Sequence, residues 1–410
     1  MTSEATSTQL PRIPNELKNL RIAIVHFWFL NGLGAERVTR ILAQMFPQAD
    51  IFALLANADA MPEDLKQHKL TTSFAQKIPF AQRYHRHLMP LYPLALEQFD
   101  LRDYDIVISA ETGPAKGVLT GTQTCHICFC HSPMRYIWDM YQQYRYETGL
   151  SGLERLIFSL SAHYVRQWDL GSAQRVDYFI AISNFVASRI AKFYGRESTV
   201  IHPPLKVDGY ISDQIDDYYL VVSRLVEYKR IDLAIEACSR LGRRLNVVGD
   251  GEQYKHLKKL AGPSVKFLGF ISDQELREQF AHCRALIFPG EEDLGATPAE
   301  AQSFGRPVIG FGRGGILDVV RPYRPGQQFN REHTGVYFDK PSVESLCEAL
   351  LTFESVQDEF SPQSIQAGIQ SFCQERFHEE MYKYVLAKYS EFQVSCGGSR
   401  FSHRDLALTL

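Results

Sequence analysis

Glu292 and Glu300 stand at the two ends of Glu-Asp-Leu-Gly-Ala-Thr-Pro-Ala-Glu, with seven residues between them and a glycine and a proline in the gap. Carboxylates so placed can each take hydroxyls of one ligand. The run Ala285-Leu-Ile-Phe-Pro289 before them is short, apolar and closed by proline, which predicts a buried strand. After them, Thr297 is expected to cap a helix and Pro298 to occupy its first position, so that Glu300 falls in the first turn. The loop then lies at the carboxyl end of a strand, where open α/β sheets bind ligands. Its backbone N–H groups near Gly295 and Ala296 suit an anion. Sugar on one carboxylate, phosphates on the amides and ribose on the other would make a nucleotide-sugar site. Two solvated glutamates at a helix entrance would share this spacing, and spacing alone does not choose.

A second constellation lies upstream. Tyr218-Tyr-Leu-Val-Val-Ser223 reads as a strand, Arg224 follows at its end, and Lys229 precedes the helical pattern Ile231, Leu233, Ala234, Ile235, Ala237. Two cations between a strand end and a helix start can clamp a diphosphate, arginine through two parallel N–H bonds. Ordinary surface charge is the alternative, but both pairs recur in one half of the chain with the same strand-to-helix placement.

On these residues the sequence resembles the retaining glycosyltransferases of family 4. Further signposts are Gly32-Leu-Gly34-Ala-Glu36, Cys130-His131-Ser-Pro133, Gly249-Asp-Gly251, Phe267-Leu-Gly269, Gly305-Arg-Pro307 and Gly314-Gly315. The resemblance runs from about Arg21 to about Tyr389 and implies an α/β chain of GT-B fold: two facing Rossmann-like, doubly wound domains with an interdomain cleft. It implies a catalytic set of His131, Arg224, Lys229 and Glu292. Gly34, Gly249, Gly269, Phe270, Leu294, Gly295, Ala296, Thr297 and Glu300 join Arg224, Lys229 and Glu292 around the donor. His131 would touch a donor sugar hydroxyl near the reacting carbon; a satisfied histidine at a strand end is the plainer reading. Family members are thought to transfer by front-face attack, the leaving phosphate taking the acceptor proton while Arg224 and Lys229 stabilise its charge. No metal and no other cofactor is then expected.

His131-Ser-Pro-Met-Arg135-Tyr-Ile-Trp138-Asp139 and Arg166-Gln-Trp168-Asp169 resemble a narrower bacterial group, many of them mannosyltransferases of O-antigen or exopolysaccharide assembly. That likeness implies GDP-mannose as donor and a lipid-linked oligosaccharide or glycan as acceptor, with Gly32, Arg135, Trp138 and Asp139 on the acceptor side. The alternatives are a transferase using another donor such as UDP-glucose, an epimerase on the same fold, and a nucleotide-sugar-binding partner subunit without activity.

Other chemistry finds less support. Gly32 and Gly34 lack the third glycine and the spaced acid of a dinucleotide fingerprint, and no Walker lysine loop occurs. Asp103-Tyr-Asp105 has the Asp-x-Asp spelling of some metal sites but runs straight into a strand, so it reads as a turn. Cys125, Cys128 and Cys130 with His126 lie in a nearly continuous apolar run, a central parallel strand whose side chains diverge to both faces rather than a metal site. A net charge of −3 and the absence of nucleic-acid-binding motifs exclude a general nucleic-acid binder. Scattered cysteines, no apolar run of spanning length and no secretory leader pattern point to a cytoplasmic protein.

The 410 residues exceed one ordinary core. Strand and helix patterns alternate twice over, as in doubly wound sheets. We expect a flexible N-terminus over residues 1–19 and an N-terminal acceptor domain over 20–205. A donor domain follows over 206–373, then a helix over 374–392 crossing back and a flexible tail over 393–410. Residues 75–99 stand out, mixing Lys77, Arg83, His85, Arg86 and His87 with Ile78, Phe80, Leu88, Leu91, Tyr92 and Phe99. Such a basic, aromatic segment can sit on an anionic membrane surface, here the inner face of the plasma membrane, or simply pack on the N-terminal domain.

Overall fold

In the computed structural model, which describes residues 11–30, 35–57, 61–111, 113–147 and 149–396, two sheets of parallel strands carry the chain. The first comprises β1 (Ile22–Phe29), β2 (Asp50–Ala56), β3 (Leu70–Thr72), β4 (Ile106–Glu111), β5 (Cys125–Cys130), β6 (Tyr178–Ala181) and β7 (Thr199–Val200). Their order is β3-β2-β1-β4-β5-β6-β7. The second comprises β8 (Tyr219–Val222), β9 (Leu245–Val248), β10 (Val265–Gly269), β11 (Leu286–Phe288), β12 (Val308–Phe311), β13 (Pro322–Tyr323) and β14 (Gly335–Phe338), in the order β10-β9-β8-β11-β12-β14-β13. In both sheets the order reverses beside the first strand, between β1 and β4 and between β8 and β11. An open α/β sheet forms its ligand crevice at that point.

Helices cover both faces of a parallel sheet, so interior strands are apolar throughout rather than alternating. All six residues of β5 are accordingly buried. Two strands carried no legible signal. Leu-Thr-Thr of β3 is short, and β13 contains a proline that is tolerated because the strand lies at an edge.

The chain divides into two compact units: residues 1–203 with 377–410, and residues 204–376. The helix Gln374–Ser395 leaves the second unit and lies in the first from Phe377 onward. There Phe377 packs edge-on against Phe129, and the Tyr382 hydroxyl donates to the Met45 carbonyl at 2.9 Å. Order begins before residue 20: Asn15–Lys18 forms a helical turn with Leu17 fully buried, and Gln48 donates to the Leu17 carbonyl.

Residues 75–99 form short 3-10 turns and one helix, Tyr92–Glu97; Pro90 lies inside the 3-10 turn His85–Leu91 and Pro93 in the first turn of the helix, where its missing N–H has no intrahelical acceptor to lose. Ala75, Ala81, Met89, Tyr92, Leu96 and Phe99 pack into the core of the first unit, while Phe80, Tyr84 and Leu94 are exposed.

Candidate active site

The loops at the carboxyl ends of β8 and β11 meet at the reversal of the second sheet. Glycine makes the approach possible. A Cβ on Gly290 would lie 3.0 Å from the Lys229 backbone. A Cβ on Gly314, at φ +82°, would stand 2.5 Å from the Glu292 carbonyl oxygen, and one on Gly315 would be 2.4 Å from that of Asp293. Gly315 N–H instead donates to the Glu292 carbonyl at 2.7 Å, which pins the loop. Across the gap, the Lys229 ammonium pairs with the Glu292 carboxylate, both groups partly shielded from water. Arg230, just after Lys229, holds a left-handed backbone at φ 53°, a conformation non-glycine residues adopt only when their surroundings enforce it.

Arg224 follows β8 with its side chain exposed and no ion pair among the described residues. Its neighbours are laced to β9 and its loop: Ser223 N–H donates to Val248, and Leu225 N–H to Asp250. Gly249, at φ +121°, permits this, since a Cβ there would fall 2.0 Å from the Ser223 carbonyl oxygen. Gly249 N–H in turn donates to Gly269 at the end of β10, where Phe270 projects with 85% of its surface exposed. The strand ends of β10, β9, β8 and β11 thus offer, in order, a bare aromatic ring, a glycine turn, a free guanidinium with a nearby ammonium, and a carboxylate loop.

The helix after β11 runs Ala296–Ser303 with Gly295, not Thr297, as its N-cap and without a side-chain cap. Gly295 is wedged against Val319 and Ile316, so the helix begins directly at Ala296. Pro298 is therefore third in the helix, where its missing N–H has no intrahelical acceptor to lose. Glu300, half-buried, moves from the expected first turn to the second. The N–H groups of Ala296 and Thr297 remain at the helix start, next to the half-buried Leu294 loop. These parts can hold a diphosphate between cations and amides, and hydroxyls on carboxylates.

In the first unit His131 ends β5 and is buried, with its ring edge-on to Phe129. Its Nε2 has no hydrogen-bond partner among the described residues. Burial, reinforced by the neighbouring His26, lowers its pKa to about 3, so the ring is neutral at physiological pH. A buried ring nitrogen left without a partner costs stability. Gly32 and Gly34 fall outside the described residues. The Glu36 carboxylate, just beyond them, accepts from Leu30 N–H at 3.1 Å.

Trp138 and Asp139, expected on the acceptor side, are half-buried and exposed, and each has a partner within the first unit. Trp138 gives its one N–H to Asp169 at 2.7 Å and stacks on Phe193. Asp139 accepts from Arg189 at 2.6 Å. Arg189 also donates to the Ser132 hydroxyl, and so spans the segment that begins at His131. Asp169 is fully buried, pairs with Lys116 and accepts from Tyr194 at 2.9 Å. Burial alone would lower the Lys116 pKa, but the charge and hydrogen bond of Asp169 outweigh it and hold the pKa above its ordinary value. Trp138 and Asp139 therefore position the segment from 131 to 139; Arg135 in it is half-buried. Lys116 and Arg189 escaped the sequence reading. Arg189 had one signal: a cation on the apolar stripe of Val186, Ile190 and Phe193.

Asp105 accepts from Arg21 N–H at the amino end of β4, opposite the ligand-binding edge. It is buried in a structural turn, as its place before a strand implies.

A family model described as glycosyltransferase family 4 matches residues 32–208, and one described as glycosyl transferases group 1 matches residues 210–370. The human alpha-1,3/1,6-mannosyltransferase ALG2 is 26% identical over 282 residues, 57% of this chain and 63% of that protein. A GDP-mannose-dependent alpha-mannosyltransferase of Corynebacterium glutamicum is 32% identical over 100 residues, 24% of each. Sulfoquinovosyl transferase SQD2 of Arabidopsis thaliana is 31% identical over 134 residues, 32% of this chain and 25% of that one. The chain thus spans less than two thirds of each of these relatives. Among solved structures, sucrose-phosphate synthase of Thermosynechococcus elongatus is similar with a TM-score of 0.68 at 14% identity, over 91% of this chain and 100% of that one. Anabaena HepE in complex with UDP and glucose gives 0.63 at 14% identity, over 90% and 100%. At such identities the solved structures establish the fold.

Proposed function

This chain belongs to glycosyltransferase family 4 and has the GT-B fold, and we propose that it is a retaining, metal-independent hexosyltransferase. On this reading it moves mannose from GDP-mannose to a lipid-linked oligosaccharide or glycan in cell-surface polysaccharide synthesis. One observation carries the reading: Arg224, the Lys229–Glu292 pair and the start of the helix Ala296–Ser303 converge where the second sheet reverses its strand order.

The chemistry follows from those groups. Diphosphate sits between the two cations and the amides of Ala296 and Thr297. Glu300 takes the ribose hydroxyls, and Glu292 the sugar. As the bond from the anomeric carbon to phosphate oxygen breaks, charge grows on the leaving phosphate, and Arg224 and Lys229 stabilise it. The acceptor oxygen bonds to the anomeric carbon from the same face, and its proton goes to the leaving phosphate. Two side-chain cations supply the charge neutralisation for which other transferases recruit a divalent ion. His131, neutral, contributes a hydrogen bond to the donor sugar. Mannose and guanine are favoured by the likeness to two relatives named as mannosyltransferases, one of them GDP-mannose-dependent.

Purified protein should transfer mannose from GDP-mannose to a polyprenyl-diphosphate-linked acceptor in excess EDTA, with the new anomeric proton in NMR showing an α-linkage. Abolition by EDTA with rescue by magnesium would overturn metal independence, and a β-linked product would overturn retention. Calorimetric titration with GDP-mannose and UDP-glucose decides the donor. Slow release of GDP without acceptor separates an enzyme from an inert binding subunit.

A further inference from the structure

The helix Gly152–Ala173 is apolar on two sides. One side packs inward through Phe158, Ala162, Val165 and Trp168. The other faces water: Leu153 is 69% exposed, Leu156 and Ile157 55%, Leu160 64% and Tyr164 49%. Their spacing places all five on one stripe, about 17 Å long at ~1.5 Å per residue. A surface helix ordinarily turns polar residues to that side, and exposed apolar patches on soluble proteins mark interaction sites.

The charge around the stripe indicates what covers it. The helix packs along the 3-10 turn His85–Leu91, and residues 74–94 contain Lys77, Arg83 and Arg86 without one acidic residue. Residues 141–164 add Arg145 and Arg155 against Glu147 and Glu154. These two stretches together hold five cations against two carboxylates, in a chain of net charge −3. Three cations lie beside exposed rings: Arg145 and Arg155 at 5.0 and 5.3 Å from Tyr146, and Arg83 at 5.5 Å from Tyr84. Guanidinium and tyrosine pairs suit a membrane interface, where apolar bodies enter the acyl region and polar tips stay wet. A second copy of this face would bring like charges together; an anionic bilayer complements them.

We propose that the outward stripe of Gly152–Ala173 is a docking face for an anionic bilayer, lying in the interface without spanning it. No helix among the described residues is long and apolar enough to cross a membrane. The stripe supplies the insertion, and residues 74–94, whose apolar side chains mostly pack inward, supply charge. This deepens the reading of a lipid-linked acceptor and rests on it only for its purpose, since docking needs no substrate.

Sedimentation with vesicles of phosphatidylcholine and phosphatidylglycerol tests the proposal. The protein should bind the mixed vesicles, less so at high salt, and bind pure phosphatidylcholine weakly. Leu156→Glu with Leu160→Glu should lower binding about a hundredfold, because both side chains leave the acyl boundary. GDP affinity by calorimetry should stay at its wild-type value, which shows that the variant is folded. Arg83→Glu with Arg145→Glu leaves the stripe intact and should lower binding about tenfold or more. Failure of the wild type to bind anionic vesicles would overturn the proposal, as would binding indifferent to both double variants. A stable dimer that the leucine substitutions dissociate would assign the stripe to a second copy instead. Absence of GDP binding in the wild type would count against the donor reading and leave the docking result to stand or fall alone.

Discussion

Lys229 and Glu292, 63 residues apart in the sequence, close an ion pair across the carboxyl ends of β8 and β11, the two strands at which the second sheet reverses its order. A lysine partly shielded and already partnered is held in place before any ligand arrives. A diphosphate entering there meets a positioned cation and competes with the carboxylate for it. The glycines at 290, 314 and 315 permit this closeness, since a Cβ at any of them would press on the partner loop.

Removing either cation should damage transfer more than folding. Lys229→Ala and Arg224→Ala should each lower kcat/KM by about 30- to 1000-fold, the loss of a charge-assisted contact worth roughly 2–4 kcal/mol in the transition state. Steady-state kinetics with GDP-mannose measures it; unchanged turnover in both single variants would refute the phosphate assignment.

The two glutamates should separate by ligand. Glu300→Gln should weaken free GDP by about tenfold, the loss of one hydrogen bond to a charged acceptor. Glu292→Gln releases Lys229 from its partner, so GDP binding should hold or tighten while sugar transfer falls. Calorimetry with GDP alone, set beside turnover, reads the split, and equal loss of GDP affinity in both variants would contradict it.

Gly314→Ala places a methyl 2.5 Å from the Glu292 carbonyl oxygen at a φ of +82°. The loop must shift, so donor affinity should drop while the melting temperature falls by only a few degrees, in line with a local strain of about 1–2 kcal/mol. An unaltered affinity for GDP-mannose would show that the loop of residues 292–294 does not bear on the donor.

Asp169 accepts from Lys116, Trp138 and Tyr194 in a fully buried setting. Asp169→Asn leaves Lys116 charged without its counter-ion and should destabilise the protein by about 3–5 kcal/mol. Urea unfolding measures this. A cost below about 1 kcal/mol would mean that the lysine finds water or another partner.

Stability should fall on mild acidification. Burial lowers the pKa of His131 and of His126 to about 3, below the unfolded value of about 6.5. As pH drops below 6.5 the unfolded chain takes up protons that the folded chain refuses. Stability is then complete above about 6.5 and declines toward 3, by about 2 kcal/mol per histidine at pH 5. Urea midpoints at pH 7.5 and 5 test the sign, and a midpoint that rises on acidification would be incompatible with it. The same values predict that His131 contributes no ionisation to the pH–rate profile above pH 5.

Most of the second sheet and its loops was legible from residue order. Apolar runs located the interior strands read from the sequence, such as Cys125–Cys130, Tyr219–Val222 and Leu286–Phe288, since a strand buried on both faces has little choice of side chain, and turn residues marked the loops carrying Arg224, Lys229 and residues 292–300. The edge strands β3 and β13 were not legible, because Leu-Thr-Thr and Pro-Tyr carry neither an apolar run nor an alternating pattern. The helix start was misplaced to Thr297 because a threonine before a proline imitates a cap. Only the packing of Gly295 on Val319 shows that no side chain is needed there.

By itself, then, the sequence determined the alternation of strands and helices, the two-unit order and which side chains sit at the sheet edges, since local pattern and turn chemistry act over a few residues. Tertiary structure alone decided the partnerships. Glu292 meets Lys229 rather than standing free. Trp138 bonds to Asp169 and Asp139 to Arg189. The apolar residues of 75–99 mostly sink into the core, while one apolar stripe of Gly152–Ala173, from Leu153 to Tyr164, stays in water. Each outcome depends on which distant element lies opposite a side chain, and a parallel sheet joins strands dozens of residues apart, so no local window of sequence contains the answer.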